Sequence, residues 1–205
     1  MGYRSLYTAT IVAIAISIAG CREQGTSFTD LEKALITDSE RIMRVLTVDN
    51  EADLQVLRDS STEFTDADLR SEYFSRLSEL MVTTMQDSTQ EGVGIAAPQV
   101  GLSRRVVAVQ RFDKTGEPVE VYPNLRIESL GGELKPGYEG CLSVPGQYGI
   151  VSRYQEIIIS YREVKEDKAG TIRDTVRGYT AVIFQHEADH LDGIIYTDKA
   201  DSLLF

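Results

Sequence analysis

Histidine is nearly missing from this chain of 205 residues: there are two, and tryptophan does not occur at all. Cysteine is as scarce, with Cys21 and Cys141 alone, so a disulfide framework is excluded. Positive charge is in deficit, 21 Lys and Arg against 32 Asp and Glu, for a net charge of −11. That balance argues against nucleic acid or an anionic membrane as partner through a basic surface. No apolar run is long enough to span a bilayer, and there is no internal repeat or low-complexity tract. With 42% hydrophobic and 26% charged residues, the composition is ordinary for one globular domain with a sizeable core.

Both histidines fall in Gln185-His186-Glu187-Ala188-Asp189-His190. Four residues is about one helical turn, so in a helix His186 and His190 share a face. Two neutral imidazoles so placed can grip one divalent metal, with Glu187 between them as a proton-handling base. The apolar stretch Tyr179 to Phe184 would let such a helix be buried. A buried helix with merely hydrogen-bonded histidines is the plain alternative. Having every histidine of the chain inside one His-Glu-x-x-His favours the metal.

A catalytic metal needs a third protein ligand and an open position. Zinc proteases with this motif usually take a downstream His or Glu, but neither residue type follows His190. Asp192 is too close along the helix, while Asp198 and Asp201 stay open as candidates in a short tail. Upstream, Cys141 in Glu139-Gly140-Cys141-Leu142-Ser143-Val144-Pro145-Gly146 would be a strong ligand as a thiolate. A lone cysteine is more often a small buried apolar residue. Here the glycine turn, the Pro-Gly stop and the missing ligand reverse that prior.

A third segment, Gly92-Val93-Gly94-Ile95-Ala96-Ala97-Pro98-Gln99-Val100-Gly101, is a row of small residues that lets backbones approach closely. The three segments, in this order, resemble the signature motifs of peptide deformylases, and the resemblance covers roughly Met43 to Asp198. It implies Cys141, His186 and His190 as metal ligands and Glu187 as general acid/base. It also implies that the Gln99 amide and the Leu142 N–H stabilise an oxyanion, and that the Gly94 main chain contacts bound peptide. Val93, Leu142 and Val182 match the family's apolar pocket for a methionine side chain, although core packing would explain them equally. The implied reaction is hydrolysis of the formyl group from N-formyl-methionyl peptides, releasing formate. The implied cofactor is one divalent metal ion, Fe2+ ahead of Zn2+. The chain departs from the pattern at Tyr148, where many members carry an arginine that touches substrate. Arg153 matches an arginine that can pair with Glu139, or is a solvated strand-end charge. Competing readings are a metallopeptidase, from His-Glu-x-x-His alone, and a non-catalytic formyl-peptide-binding lipoprotein.

The expected fold is α+β, with antiparallel sheets packed around a central metal-binding helix. Helical spacing predicts a helix over 66–85, with Thr65 and Asp68 as a capping box. Strands are expected at 106–109, 119–122, 156–161 and 171–176. At the N-terminus, a short basic start precedes an apolar run from Thr10 to Ala19. Ile18-Ala19-Gly20-Cys21 resembles a bacterial lipobox, with Cys21 as the acylated first mature residue. The expected layout is a signal peptide over 1–20, a polar tether over 21–38 and a catalytic domain over 39–205. That layout implies a monomer held at the membrane through Cys21, outside the cytoplasm.

Overall fold

A computed structural model describes residues 25–165 and 168–204. The expected signal over 1–20, and Cys21, lie outside the described residues. The architecture is α+β, as expected from the sequence. Four helices come first: α1 (Asp30–Asp38), α2 (Glu51–Arg58), α3 (Asp66–Leu69) and α4 (Glu72–Gln86). Next come β1 (Gly94–Ala96), a 3-10 turn at Ala97–Val100, β2 (Val106–Gln110) and β3 (Val119–Pro123). The long strands β4 (Arg126–Cys141), β5 (Val144–Lys165) and β6 (Lys168–Arg177) lead into α5 (Gly178–Leu191). A 3-10 turn at Tyr196–Asp198 and β7 (Ser202–Leu204) close the described chain.

One antiparallel sheet has the order β1-β2-β3, and the other the order β4-β5-β6, with β7 also pairing with β5. β2 shows why its sequence is an unbroken apolar run. Val106 and Ala108 face a core built from α1, α4 and β1, while Val107 and Val109 face α5. Alternate residues point to opposite faces, so a strand buried on both sides needs apolar residues throughout. Side chains such as Leu77, Met81 and Ile95 in the first core, and Ile159 and Phe184 in the second, are fully buried. Each contributes roughly 1.5–3 kcal/mol of hydrophobic stabilisation.

Helix α5 is buried nearly all round, against β1, β2, β5 and β6. Its polar side chains therefore need partners, and Gln185 finds them in the Tyr154 backbone, at 3.1 Å to N and 2.7 Å to O. The helix stops just after His190 in a Schellman motif. Ile194 N–H donates to Asp189 O at 2.9 Å and Gly193 N–H to His190 O at 3.2 Å. Gly193 has the left-handed φ of 71° that this ending requires.

Three expectations change. The helix expected over 66–85 is two helices, because Ser71 accepts from Phe74 N–H and restarts the helix after α3. The Thr65–Asp68 capping box is present, on α3. β4 and the first half of β5 were not expected as strand. Gly131, Gly132, Pro136, Gly137 and Gly140 look like turn residues, yet β4 is an edge strand with register shifts, where Pro and Gly are tolerated. The polar tether is also corrected, because residues 25–38 pack on the domain. Phe28 and Ile36 are buried in the first core. Buried Arg104 donates to Glu32 at 2.5 and 2.7 Å and to the Ser27 carbonyl at 2.7 Å.

Candidate metal centre

Cys141 and Val144 face each other across the two-residue turn that joins β4 to β5. This hairpin end meets α5, one turn of which carries His186 and His190. The sulfur of Cys141 lies 3.2 Å from His190 Nε2. One ligand atom from each of Cys141, His186 and His190 lies within 4.8 Å of the others. Asp192 pairs instead with Arg105 at 2.6 Å, and Asp198 with Arg58 at 3.0 Å. Asp201 is outside the cluster. Of the candidate third ligands, only Cys141 joins the histidines.

Electrostatics suit a cation at this point. Burial pushes the Cys141 thiol up, yet His190 and His186 outweigh it and hold the thiol well below its ordinary range. Burial pulls His186 down, but Cys141 and Glu139 raise it well above the ordinary imidazole value. Both directions favour the charged thiolate, the form in which Cys141 would ligate a metal. A thiolate with two imidazoles is a donor set that fits zinc or ferrous iron.

The surroundings hold the ligands in orientation. Glu139 Oε2 lies 2.9 Å from His186 Nδ1, which leaves the other ring nitrogen for the centre. Arg153 grips the Glu139 carboxylate at 2.7 and 2.9 Å and reaches Asp189 at 2.6 Å. Both partners of the Arg153–Glu139 pair are buried, so Arg153 is no solvated strand-end charge. Burial pushes Glu139 up, but Arg153 and His186 prevail and take it down to about 2.

The comparisons with known proteins follow this geometry. The model of the family described as polypeptide deformylase matches residues 42–204. The chain belongs to that family. A peptide deformylase of Leptospira biflexa is 34% identical over 157 residues, covering 72% of this chain and 83% of that one. One of Symbiobacterium thermophilum is 46% identical over 113 residues, but the match spans about half of it, 49%. Among solved structures, a class I type b peptide deformylase from Acinetobacter baumannii bound to Met-Ala-Ser superimposes with a TM-score of 0.67. It is 30% identical and covers 77% of this chain and 98% of its own.

The remaining residues singled out from the deformylase motifs surround the ligands. Glu187 is buried, and its Oε2 has no hydrogen-bond partner among the described residues. Burial, only partly opposed by His186 and His190, pushes its carboxyl up to about 7. Gln99, also buried, accepts from Ala96 N–H at 2.9 Å and donates to Ser143 Oγ at 3.2 Å and Cys141 Sγ at 3.5 Å. Its amide therefore lies beside the ligand sulfur. Val93, Gly94, Leu142 and Val182 line a cleft of about 460 Å3 that contains this site. Sequence reasoning missed Ser143, which orients Gln99, and Ile183, which also lines the cleft. Ile183 was within reach of helical spacing, four residues before Glu187. Ser143 carried no such signal, since its partner is 44 residues away.

Proposed function

We propose that the chain is a metal-dependent hydrolase that removes the formyl group from N-formyl-methionyl peptides, releasing formate and a free amine. One observation carries the reading: a thiolate and two imidazoles converge beside a buried, unpartnered carboxylate in a peptide-sized cleft. A metal held by Cys141, His186 and His190 supplies a Lewis acid for the carbonyl and makes water more acidic. We favour Fe2+ over Zn2+ from the family resemblance. Glu187 takes the proton of the attacking water and delivers it to the leaving amine. The Gln99 amide and the Leu142 N–H donate to the carbonyl oxygen as charge develops on it. β1 is the edge of its sheet, so an extended peptide can add beside Gly94. Val93, Leu142 and Val182 then form the wall for the methionine side chain.

The same reading has residues 1–20 as a lipoprotein signal and Cys21 as an acylated anchor, placing the domain at a membrane outside the cytoplasm. The same reading has the chain acting as a monomer.

The deciding assay compares formate release with internal peptide cleavage on one formyl-methionyl peptide. Formate without internal cleavage is expected. Glu187→Gln should keep its metal and lose roughly 10²–10⁴-fold in rate, because the proton carrier is gone while the ligands remain. Internal cleavage would restore the metallopeptidase reading. Tight binding without turnover by the metal-loaded wild type would make the chain a non-catalytic receptor.

A further inference from the structure

Beyond the ligands, the cleft opens onto three tyrosines that no core packing claims. Tyr138, Tyr148 and Tyr179 are 73%, 58% and 56% exposed, and all three line the cleft. Strand register groups the first two. Tyr138 lies opposite Ile150 and Gly140 opposite Tyr148, so Tyr138 and Tyr148 are diagonal neighbours on one sheet face. Gly140 makes room for the second ring, since a Cβ there would lie 3.0 and 3.1 Å from two Tyr148 ring carbons. Tyr179 enters from the first turn of α5, its ring 5.5 Å from that of Phe112.

The charge on this surface has one sign. Among the described residues no lysine or arginine lines the cleft, whereas Glu91, Glu139 and Glu187 do. Glu139 is taken up by Arg153 and Glu187 faces the reaction centre, which leaves Glu91 at the rim. Glu91 is exposed, on backbone with a φ of 49°. Tyrosine faces carry negative quadrupole potential and attract ammonium and guanidinium groups. The outer cleft is therefore built for cations and repels carboxylates, in a protein whose net charge is already −11.

We infer that the cleft selects formyl-methionyl peptides with basic residues directly after the methionine, their side chains held by Tyr138, Tyr148, Tyr179 and Glu91. This rests on the hydrolase reading for its substrate, and the test separates the two. Formate release by the full-length, metal-loaded protein is measured on formyl-Met-Lys-Ala, formyl-Met-Ala-Ala and formyl-Met-Asp-Ala. Calorimetry measures binding of the same three peptides without the formyl group. The lysine peptide should exceed the aspartate peptide roughly tenfold in kcat/KM, mostly through KM, with the ratio shrinking as salt rises. Tyr148→Arg and Glu91→Lys, each alone, should bring that ratio close to one, while Tyr148→Phe, which keeps an aromatic face, preserves most of it. Equal kcat/KM for lysine and aspartate peptides, or a preference for aspartate, overturns the inference. Calorimetric preference for lysine without formate from any peptide would remove the hydrolase and leave the cleft's selectivity standing. Neither formate nor preference would remove both.

Discussion

Between Glu187 and β1 there is no room for a methyl group. A Cβ on Gly94 would lie 2.9 Å from the Glu187 Cδ and 2.8 Å from a methyl carbon of Ile183, well inside contact distance. Gly94 thus leaves the space that the Glu187 carboxylate occupies. Gly94→Ala should displace the carboxylate while sparing the metal ligands. About 10²-fold of kcat should go with metal content unchanged, because misplacing a reacting group by about 1 Å has that effect. Elemental analysis beside the formate assay checks it; unchanged kcat would show that Glu187 tolerates the shift. Cys141→Ala should do the reverse and lose the stoichiometric metal, and full occupancy in that variant would end the ligand assignment. The histidines and Glu187 were legible in the sequence because helical spacing is local. The ties that orient them were not. Glu139 and His186 are 47 residues apart, and Asp189 reaches Arg153 across 36. Such pairings exist only once the hairpin end has docked on α5.

At the scale of elements, the segment from residue 25 to α1 is the clearest case of local chemistry concealing a packed role. Its polar composition looks like a tether, but a few residues do the anchoring. The Phe28 ring lies tilted against that of Phe64 at 5.1 Å, Ile36 is buried, and Glu32 neutralises the buried Arg104. A protein beginning at residue 39 would open Arg104 to solvent and lose the burial of Phe28 and Ile36, roughly 1.5–3 kcal/mol for each side chain. Its Tm should fall well below that of a protein beginning at residue 22, and equal Tm values would return the segment to a tether. The attachment should also weaken in acid. Burial pushes Glu32 up, but its bonds from Arg104 and Thr29 hold it below the ordinary 4.5. A lowered carboxyl stabilises fully above 4.5 and loses that stabilisation as pH falls through its lower folded value. Glu32→Gln should therefore flatten the acid limb of a Tm-against-pH curve. β-branched residues made β2, β3 and β6 legible beforehand: β2 is apolar on both faces, and in β3 and β6 they recur along the strand. β4 stayed hidden because it is held by pairing with β5 along an exposed edge, which no apolar periodicity records.

On the scale of the whole molecule, charge and location bear on one another. Formyl-methionine is ordinarily processed on nascent chains in the cytoplasm, whereas acylation of Cys21 would carry this domain to the other side of a membrane. A cleft that favours basic residues after methionine narrows the gap, because secretory signals begin with a positively charged stretch. Peptides shed from exported chains would then reach the enzyme where it is tethered. The net charge of −11 opposes adsorption to an anionic bilayer, so on the proposed reading attachment would come from acyl chains. One chain gives marginal residence and two or more give stable anchoring. An anchor at Cys21 would be only a few residues along the chain from the packed domain, since Thr26 N–H donates to the Glu63 carbonyl at 3.0 Å. The domain would ride close to the bilayer surface. Cys21→Ser should release the protein from the membrane fraction while leaving formate release by the domain intact, because the residues named in the site run from Glu91 to His190 in the chain. Mass spectrometry of the wild type should find an acylated Cys21 as the first residue. A wild-type protein that fractionates with cytosol and retains residues 1–20 would end the export argument and return the enzyme to nascent chains.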